Sequence, residues 1–270
     1  MRQFVIVALL FASSSCAQAA FSQPTTSPAL AACGETLASR HFTAAMMLHT
    51  PATICFSNGM DVELSGQRLY ALPELDSYLA AAAMKRGRWG VGLAFQSMGE
   101  PDFYLETMFT GYLGCAIAKY LYTGVSAGFN RVAMGDRYHS ANALAFGCGV
   151  MLIPSQDWMA YASIRNPAEP EIIGGTKLHR ELNAGIAVTR FENVGFAVEI
   201  KSRSGDDLRY SIGEVYRLSP VLSVSAGIMT SPFVPSFGCR FTWKQFGLLY
   251  AYRYHPELGG THIWGIALSR

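Results

Sequence analysis

Charge is scarce in this sequence. Asp, Glu, Lys and Arg together make up 15% of its 270 residues, against about 25% in an ordinary soluble domain. Half of the residues are apolar, yet after the first twenty no uninterrupted run reaches the ~20 residues that a helix needs to cross a bilayer. A formal net charge of +2 gives no basic footprint for nucleic acid. The cysteines form no C-x-x-C pair, so zinc ribbons and thioredoxin-like centres lack their spacing. No helical H-E-x-x-H arrangement occurs either. With no catalytic constellation and no cofactor motif, the chain reads as a non-enzyme.

The N-terminus "MRQFVIVALLFASSSCAQAA" has a basic Arg2, an apolar run from Phe4 to Ala12 and a small-x-small site at Ala17-Gln18-Ala19. That order predicts a secretory signal peptide over residues 1–19 and an exported, bacterial chain. Cys16 raises a lipoprotein alternative, which the three serines before it disfavour. Of the later cysteines, Cys115, Cys148 and Cys239 fall on apolar positions and read as small hydrophobes. Cys33 and Cys55 are candidates for a disulfide, which export permits.

From about Val62 onward the period is two. "RWGVGLAFQS" sets Trp89, Val91, Leu93 and Phe95 against Gly90, Gly92, Ala94 and Gln96. "NVGFAVEIK" sets Val194, Phe196, Val198 and Ile200 against Gly195, Ala197, Glu199 and Lys201. Such alternation marks strands. One face is bulky and apolar, the other small or charged. A small soluble barrel fills its interior with large apolar side chains, whereas a membrane barrel turns the apolar face to lipid and the small or polar face to its lumen. The predicted fold class is therefore all-β, a transmembrane antiparallel barrel. A soluble periplasmic β-protein is the lesser alternative.

The runs give about fourteen strands, near 62–70, 75–84, 88–97, 103–112, 118–130, 141–152, 157–165, 179–190, 194–202, 207–216, 221–229, 236–243, 246–254 and 260–268. Bacterial barrels have short periplasmic turns and longer outer loops. "KRG", "RFEN", "RLSP" and "WKQ" fit the turns, and "NPAEPEIIGGTK", "SRSGDD" and "HPELGG" fit the loops; the connection at 71–74 fits the rule poorly. Residues 20–60 do not alternate. "SPALAACGETLASRHF" suggests a short helix with Ser27 as its N-cap, and Pro51 breaks any continuation beyond it. This segment is expected as a plug in or beneath the barrel, or as a periplasmic tail, with the barrel over 61–270.

Several motifs favour the plain reading. "GVSAG" around Ser126 matches G-x-S-x-G but lies in an alternating run rather than on a strand-turn-helix elbow. His255, Glu257 and His262 sit among Pro256, Gly259 and Gly260, which are turn residues; a loop tip fits better than a metal site. His139 and His179 read as loop or strand-end residues. Tyr70, Trp89, Tyr112, Trp158, Tyr161, Tyr216, Trp243, Tyr252 and Trp264 fall near strand ends, as aromatic girdles do. On the lumen register lie Glu106, Glu199, Lys201, Arg209, Arg240 and Arg253. They read as ion pairs holding a plug, or as polar anchors for a ligand beside Tyr104, Met108, Tyr120 and Tyr122.

The last forty residues carry a family resemblance. "GIMTSPFVPSFGCRF", "FGLLYAYRYHPELGGTH" and the final strand resemble the C-terminal end of PorV/PorQ-like outer-membrane proteins, within the superfamily of long-chain fatty-acid transporter (FadL-type) barrels. "ASIRNPAEP" resembles the R-N-P strand end of that group. "FTAAMMLHTPATICFS" is similar to its N-terminal segment, with His49-Thr50 in place of the asparagine region. The resemblance implies a fourteen-stranded barrel with an N-terminal hatch, in contact with outer-membrane lipid. It also implies one of two roles: passage of a hydrophobic small molecule, or service as a type IX secretion or surface-assembly component holding secreted proteins. Barrels of this kind end on an aromatic residue; this chain ends Leu268-Ser269-Arg270.

Overall fold

A computed structural model describes residues 21, 26–39, 41–57, 59–101, 103–135, 140–173, 176–191 and 193–270. The expected signal peptide and His139 lie outside the described residues. Sixteen strands run in chain order: β1 Met60–Arg68, β2 Asp76–Arg86, β3 Trp89–Glu100, β4 Tyr104–Ala118, β5 Leu121–Met134, β6 Ala141–Leu152, β7 Trp158–Arg165, β8 Glu171–Ile173, β9 Thr176–Lys177, β10 Glu181–Phe191, β11 Val194–Arg203, β12 Arg209–Arg217, β13 Leu222–Met229, β14 Val234–Trp243, β15 Phe246–His255 and β16 Gly259–Ser269. Among the described residues β8 and β9 pair only with each other. The other fourteen form a closed antiparallel barrel in which each strand pairs with its neighbours in sequence and β1 pairs with β16.

Closure leaves no edge in the barrel, so each of its fourteen strands satisfies its backbone groups through its neighbours, as a lipid-facing sheet must. At the seam Asp61 stands opposite Ser269, and Met60 and Arg270 exchange backbone hydrogen bonds at 3.0 and 2.9 Å. Arg270 thus takes part in closure through its main chain, whatever its side chain.

Burial follows the period-two pattern of the strands. Outward positions such as Leu64, Leu93, Phe146, Ile186, Leu248 and Ile266 are exposed, while their sequence neighbours are buried or half-buried. The apolar belt runs around the whole barrel, far more than the few hundred Å² of apolar patch that a soluble monomer tolerates. Outward aromatics bound it at both rims: Trp89, Trp158, Tyr216 and Trp243 at one, Tyr78, Tyr210, Tyr254 and Phe233 at the other. Tyr112 and Tyr161 do not belong to these girdles. Tyr161 is buried on the inner face, where its hydroxyl meets Glu199, and Tyr112 packs against the N-terminal segment.

The connections sort the rims. Two-residue turns join β2 to β3 (87–88), β4 to β5 (119–120) and β14 to β15 (244–245) at one rim, the turn rim. The opposite loop rim carries 69–75, 135–140 and the long 166–180 connection that contains β8 and β9. The first connection, expected near 71–74, spans 69–75 and belongs with the loops, where two short 3₁₀ turns occupy it. β4 runs six residues beyond its expected end at 112. Its small residues Gly114, Cys115, Ala116 and Ala118 pair with β5 right up to the turn.

Residues 26–39 and 41–57 lie against the inner wall. Ser27 caps α1 (Pro28–Ala32), its hydroxyl accepting from the Ala29 amide at 3.3 Å, and Pro28 occupies the first turn where its missing N–H costs nothing. Two 3₁₀ turns come next, Ala44–Leu48 and Pro51–Phe56. Glycines in the wall let this backbone approach. A Cβ on Gly213 would lie 2.1 Å from the Cys33 carbonyl oxygen, and one on Gly124 would lie 2.5 Å from the carbonyl carbon of Pro51. Cys33 therefore sits by β12 while Cys55 sits by Gly114 of β4, and both thiols are free; no disulfide joins them.

Candidate functional site

Above the N-terminal segment, at the loop rim, the lumen opens into a polar vestibule. It holds a cavity of about 150 Å³ lined among others by Glu35, Arg165, Lys201, Arg203, Arg209 and Arg253. The strand period places these groups: Lys201 and Arg203 follow Glu199 at inward positions of β11, Arg165 ends β7 and Arg253 lies near the end of β15. Basic groups outnumber acidic ones, so the charges are neutralised in pairs where partners reach.

Three such sets hold the vestibule floor. Glu35 accepts from Lys201 at 3.3 Å and from Arg253 at 2.8 Å. Burial works against a charged Glu35, yet Lys201 and Arg253 beside it hold its carboxyl well below the usual carboxylate range. Gly34 and Glu35 both have positive φ, 64° and 62°; that left-handed pair ends α1 and turns the carboxylate toward the two cations, a conformation that a non-glycine residue adopts only when its surroundings fix it. In the second set, one oxygen of Glu199 accepts from His49 Nε2 at 2.8 Å and from the Tyr161 hydroxyl at 2.7 Å. A carboxylate only accepts, so Nε2 carries the proton. In the third, Glu181 accepts from Arg165 at 2.5 Å and Arg203 at 3.2 Å.

Beside this network lies an apolar seat. The Phe21 side chain is buried with Val132, Ala143, Ile172 and Leu178, and Tyr104 and Met108 pack against them. The Phe21 amide donates to Glu106 at 3.0 Å, and its carbonyl accepts from Arg203 at 3.1 Å. Tyr104 donates to the same Glu106 oxygen. A smaller void continues from Phe21 past Tyr112 and Ser126 down to Pro51.

The expected residues thus separate. Glu106 and Tyr104 meet at the seat. Glu199, Lys201 and Arg253 tie the wall to the N-terminal segment. Arg209 pairs with Asp206 at 3.5 Å at the rim. Arg240 lies toward the turn rim, near Asp61 and Glu63, apart from the vestibule. Tyr122 faces inward at the turn rim and packs on Phe56, ring centroids 4.5 Å apart. Tyr120 is not on a strand face; it sits in the β4–β5 turn under Lys119. His255 caps the last loop, accepting from the Glu257 and Leu258 amides, and His262 faces outward to the Tyr250 hydroxyl. Ser126 lies within β5.

Sequence reading missed Phe21, Glu35, His49, Arg165 and Glu181. Parity alone identifies the last two, since Ser163 and Arg165, and likewise Glu181 and Asn183, share the inward face. The first three stand in a segment without a period and carry no such signal.

No family model matches the sequence, and no curated protein matches it. Solved structures do. The CymD monoaromatic hydrocarbon channel superposes with a TM-score of 0.68 at 13% identity, covering 91% of this chain and 97% of that one. The Pseudomonas putida toluene transporter TodX gives 0.62 at 11%, with 91% and 96% covered. A Pseudomonas aeruginosa FadL homologue gives 0.62 at 11%, with 92% and 96% covered. At these identities the likeness is one of architecture: this chain shares its barrel fold with these proteins.

Proposed function

We propose that this chain is a bacterial outer-membrane barrel that binds and passes a hydrophobic small molecule, with the loop rim outside the cell and residues 26–57 acting as a hatch. The seat around Phe21 carries the reading. A benzyl group lies buried among apolar side chains beside the polar vestibule, while Glu106 and Arg203 hold its backbone. The seat accepts one aromatic ring, so an uncharged single-ring hydrocarbon is the class of cargo that fits. The structural neighbours include proteins described as toluene and monoaromatic hydrocarbon channels, which supports the same class. The apolar belt between two aromatic girdles supports the membrane location.

Uptake of labelled toluene by cells that express the chain tests this. Uptake is expected to exceed that of cells without it, and Phe21→Ala, which empties the seat, is expected to raise it severalfold. Equal uptake with and without the protein refutes the reading. The role in type IX secretion or surface assembly rests on the C-terminal resemblance alone; secreted polypeptides recovered with the purified barrel would favour it.

A further inference from the structure

The inner face of β1 carries an unbroken polar strip. Asp61, Glu63, Ser65 and Gln67 follow one another at inward positions and are 4%, 0%, 7% and 1% exposed. Ser77 on β2 stands opposite Gln67 and is wholly buried. Among the described residues, neither carboxylate oxygen of Glu63 has a hydrogen-bond partner, nor do the Ser65 hydroxyl, either amide atom of Gln67, the Ser77 hydroxyl or the Thr43 hydroxyl across from them. Ser27, Thr43 and the Ala45 backbone face Glu63 from the N-terminal segment without reaching hydrogen-bond geometry. On β2, Ala83, Ala81 and Leu79 stand opposite Asp61, Glu63 and Ser65, and on β16, Ala267, Gly265 and Ile263 stand opposite Glu63, Ser65 and Gln67.

Buried polar groups are almost always partnered, and a strip of them in one line is satisfied by water or ions rather than left bare. The strip rises about 3.3 Å per residue, or roughly 20 Å from Asp61 to Gln67. Its upper end lies two residues below Leu69, which lines the vestibule. Its lower end lies beside Arg240, whose Nε is also unpartnered among the described residues. Once water fills the strip, two carboxylates against one guanidinium leave it with an excess of negative charge. Rings of acidic side chains in a pore favour cations.

We propose that the inner face of β1 forms a narrow hydrated path past the N-terminal segment that carries water and small monovalent cations, with Glu63 as the group that selects the sign of charge. The path is separate from the Phe21 seat, which is walled by β4, β5 and β6 across the lumen, and it stands whether or not a hydrocarbon is the cargo. Gln67 and Ser77 form its mouth, and Asp61 with Arg240 forms its exit.

The test is electrical. The full chain is reconstituted in planar bilayers under a KCl gradient. A small conductance is expected, with a reversal potential of cation sign and much less current when tetramethylammonium replaces K⁺. Glu63→Gln keeps the shape and is expected to cut the K⁺ over Cl⁻ preference severalfold. Gln67→Leu is expected to lower the conductance about tenfold by closing the mouth with an apolar side chain. Heat-modifiable gel mobility of each variant confirms a closed barrel. No K⁺ current above that of lipid alone overturns the proposal. So does a selectivity that Glu63→Gln leaves unchanged, because current would then pass elsewhere.

Discussion

Glu199 joins the wall to the segment inside it. Its carboxylate is 2% exposed and receives both the His49 imidazole and the Tyr161 hydroxyl. Tyr161 in turn accepts from the Leu37 amide at 3.3 Å, so one phenol connects β7, β11 and the segment. A hydrogen bond to a charged group contributes about 1.5–3 kcal/mol. Tyr161→Phe is therefore expected to destabilise the folded barrel by about that amount, read from reversible urea unfolding in detergent micelles. By contrast, Arg68 and Asp76 form a two-pronged pair at 2.7 Å near the rim, where Arg68 is exposed and solvent screens the attraction. Arg68→Ala is expected to leave the urea midpoint nearly unchanged. At this scale the sequence was half legible. The inward parity of Glu199 and Lys201 could be read from "NVGFAVEIK". Their partners could not, because His49 and Glu35 belong to a stretch with no repeating face. Tyr161 misled for a physical reason. β7 carries a large ring at both Trp158 and Tyr161, one on each face, and ring size alone does not say which one meets lipid.

At the scale of elements, the strands were legible because each has one lipid face and one lumen face, and that contrast is written at every second residue. The segment over residues 26–57 was not, because it is surrounded by the barrel. Leu30, Leu37, Met46, Met47 and Ile54 are all nearly inaccessible, and a chain buried on all sides shows no period. What could have been read is its complement: the glycines that face inward on β5 and β12. Gly213→Val is expected to push Cys33 and Thr36 away from β12, seen as faster amide exchange over residues 30–38 while the strand amides stay protected. Acid probes the same attachment. Glu35 titrates lower in the folded chain than its ordinary value near 4.5 because, despite burial, Lys201 and Arg253 favour its charged form. A depressed folded value means that this contribution is fully present above about pH 5 and is lost as pH falls below the ordinary value toward the folded one. Protease sensitivity of the segment is expected to rise over that acid range. Glu35→Gln, which cannot titrate, is expected to be more sensitive already at neutral pH, with no further change from Glu35.

At the scale of the whole molecule, the two faces of the sheet answer to different solvents, and one substitution moved by one residue separates them. Ile186 is the middle residue of β10 and points outward at 58% exposure, whereas Ala187 points inward and is inaccessible. If the belt lies in lipid, an arginine at position 186 must bring its charge into hydrocarbon, which costs about 2–4 kcal/mol near the midplane of a membrane barrel. If the belt lay in water, the same change would cost almost nothing, since surface substitutions without special contacts stay within about 0.5 kcal/mol. Ile186→Arg is therefore expected to lower the stability of the barrel by about 2–4 kcal/mol in lipid vesicles, measured by urea titration of tryptophan fluorescence. The penalty should shrink when Arg replaces Leu182, also outward but nearer the loop rim, because the charge can then reach the interface. A flat response along β10 would mean that the belt does not sit across a bilayer. A graded one would locate its midplane and fix the depth at which the N-terminal segment, the Phe21 seat and the polar face of β1 lie within the membrane.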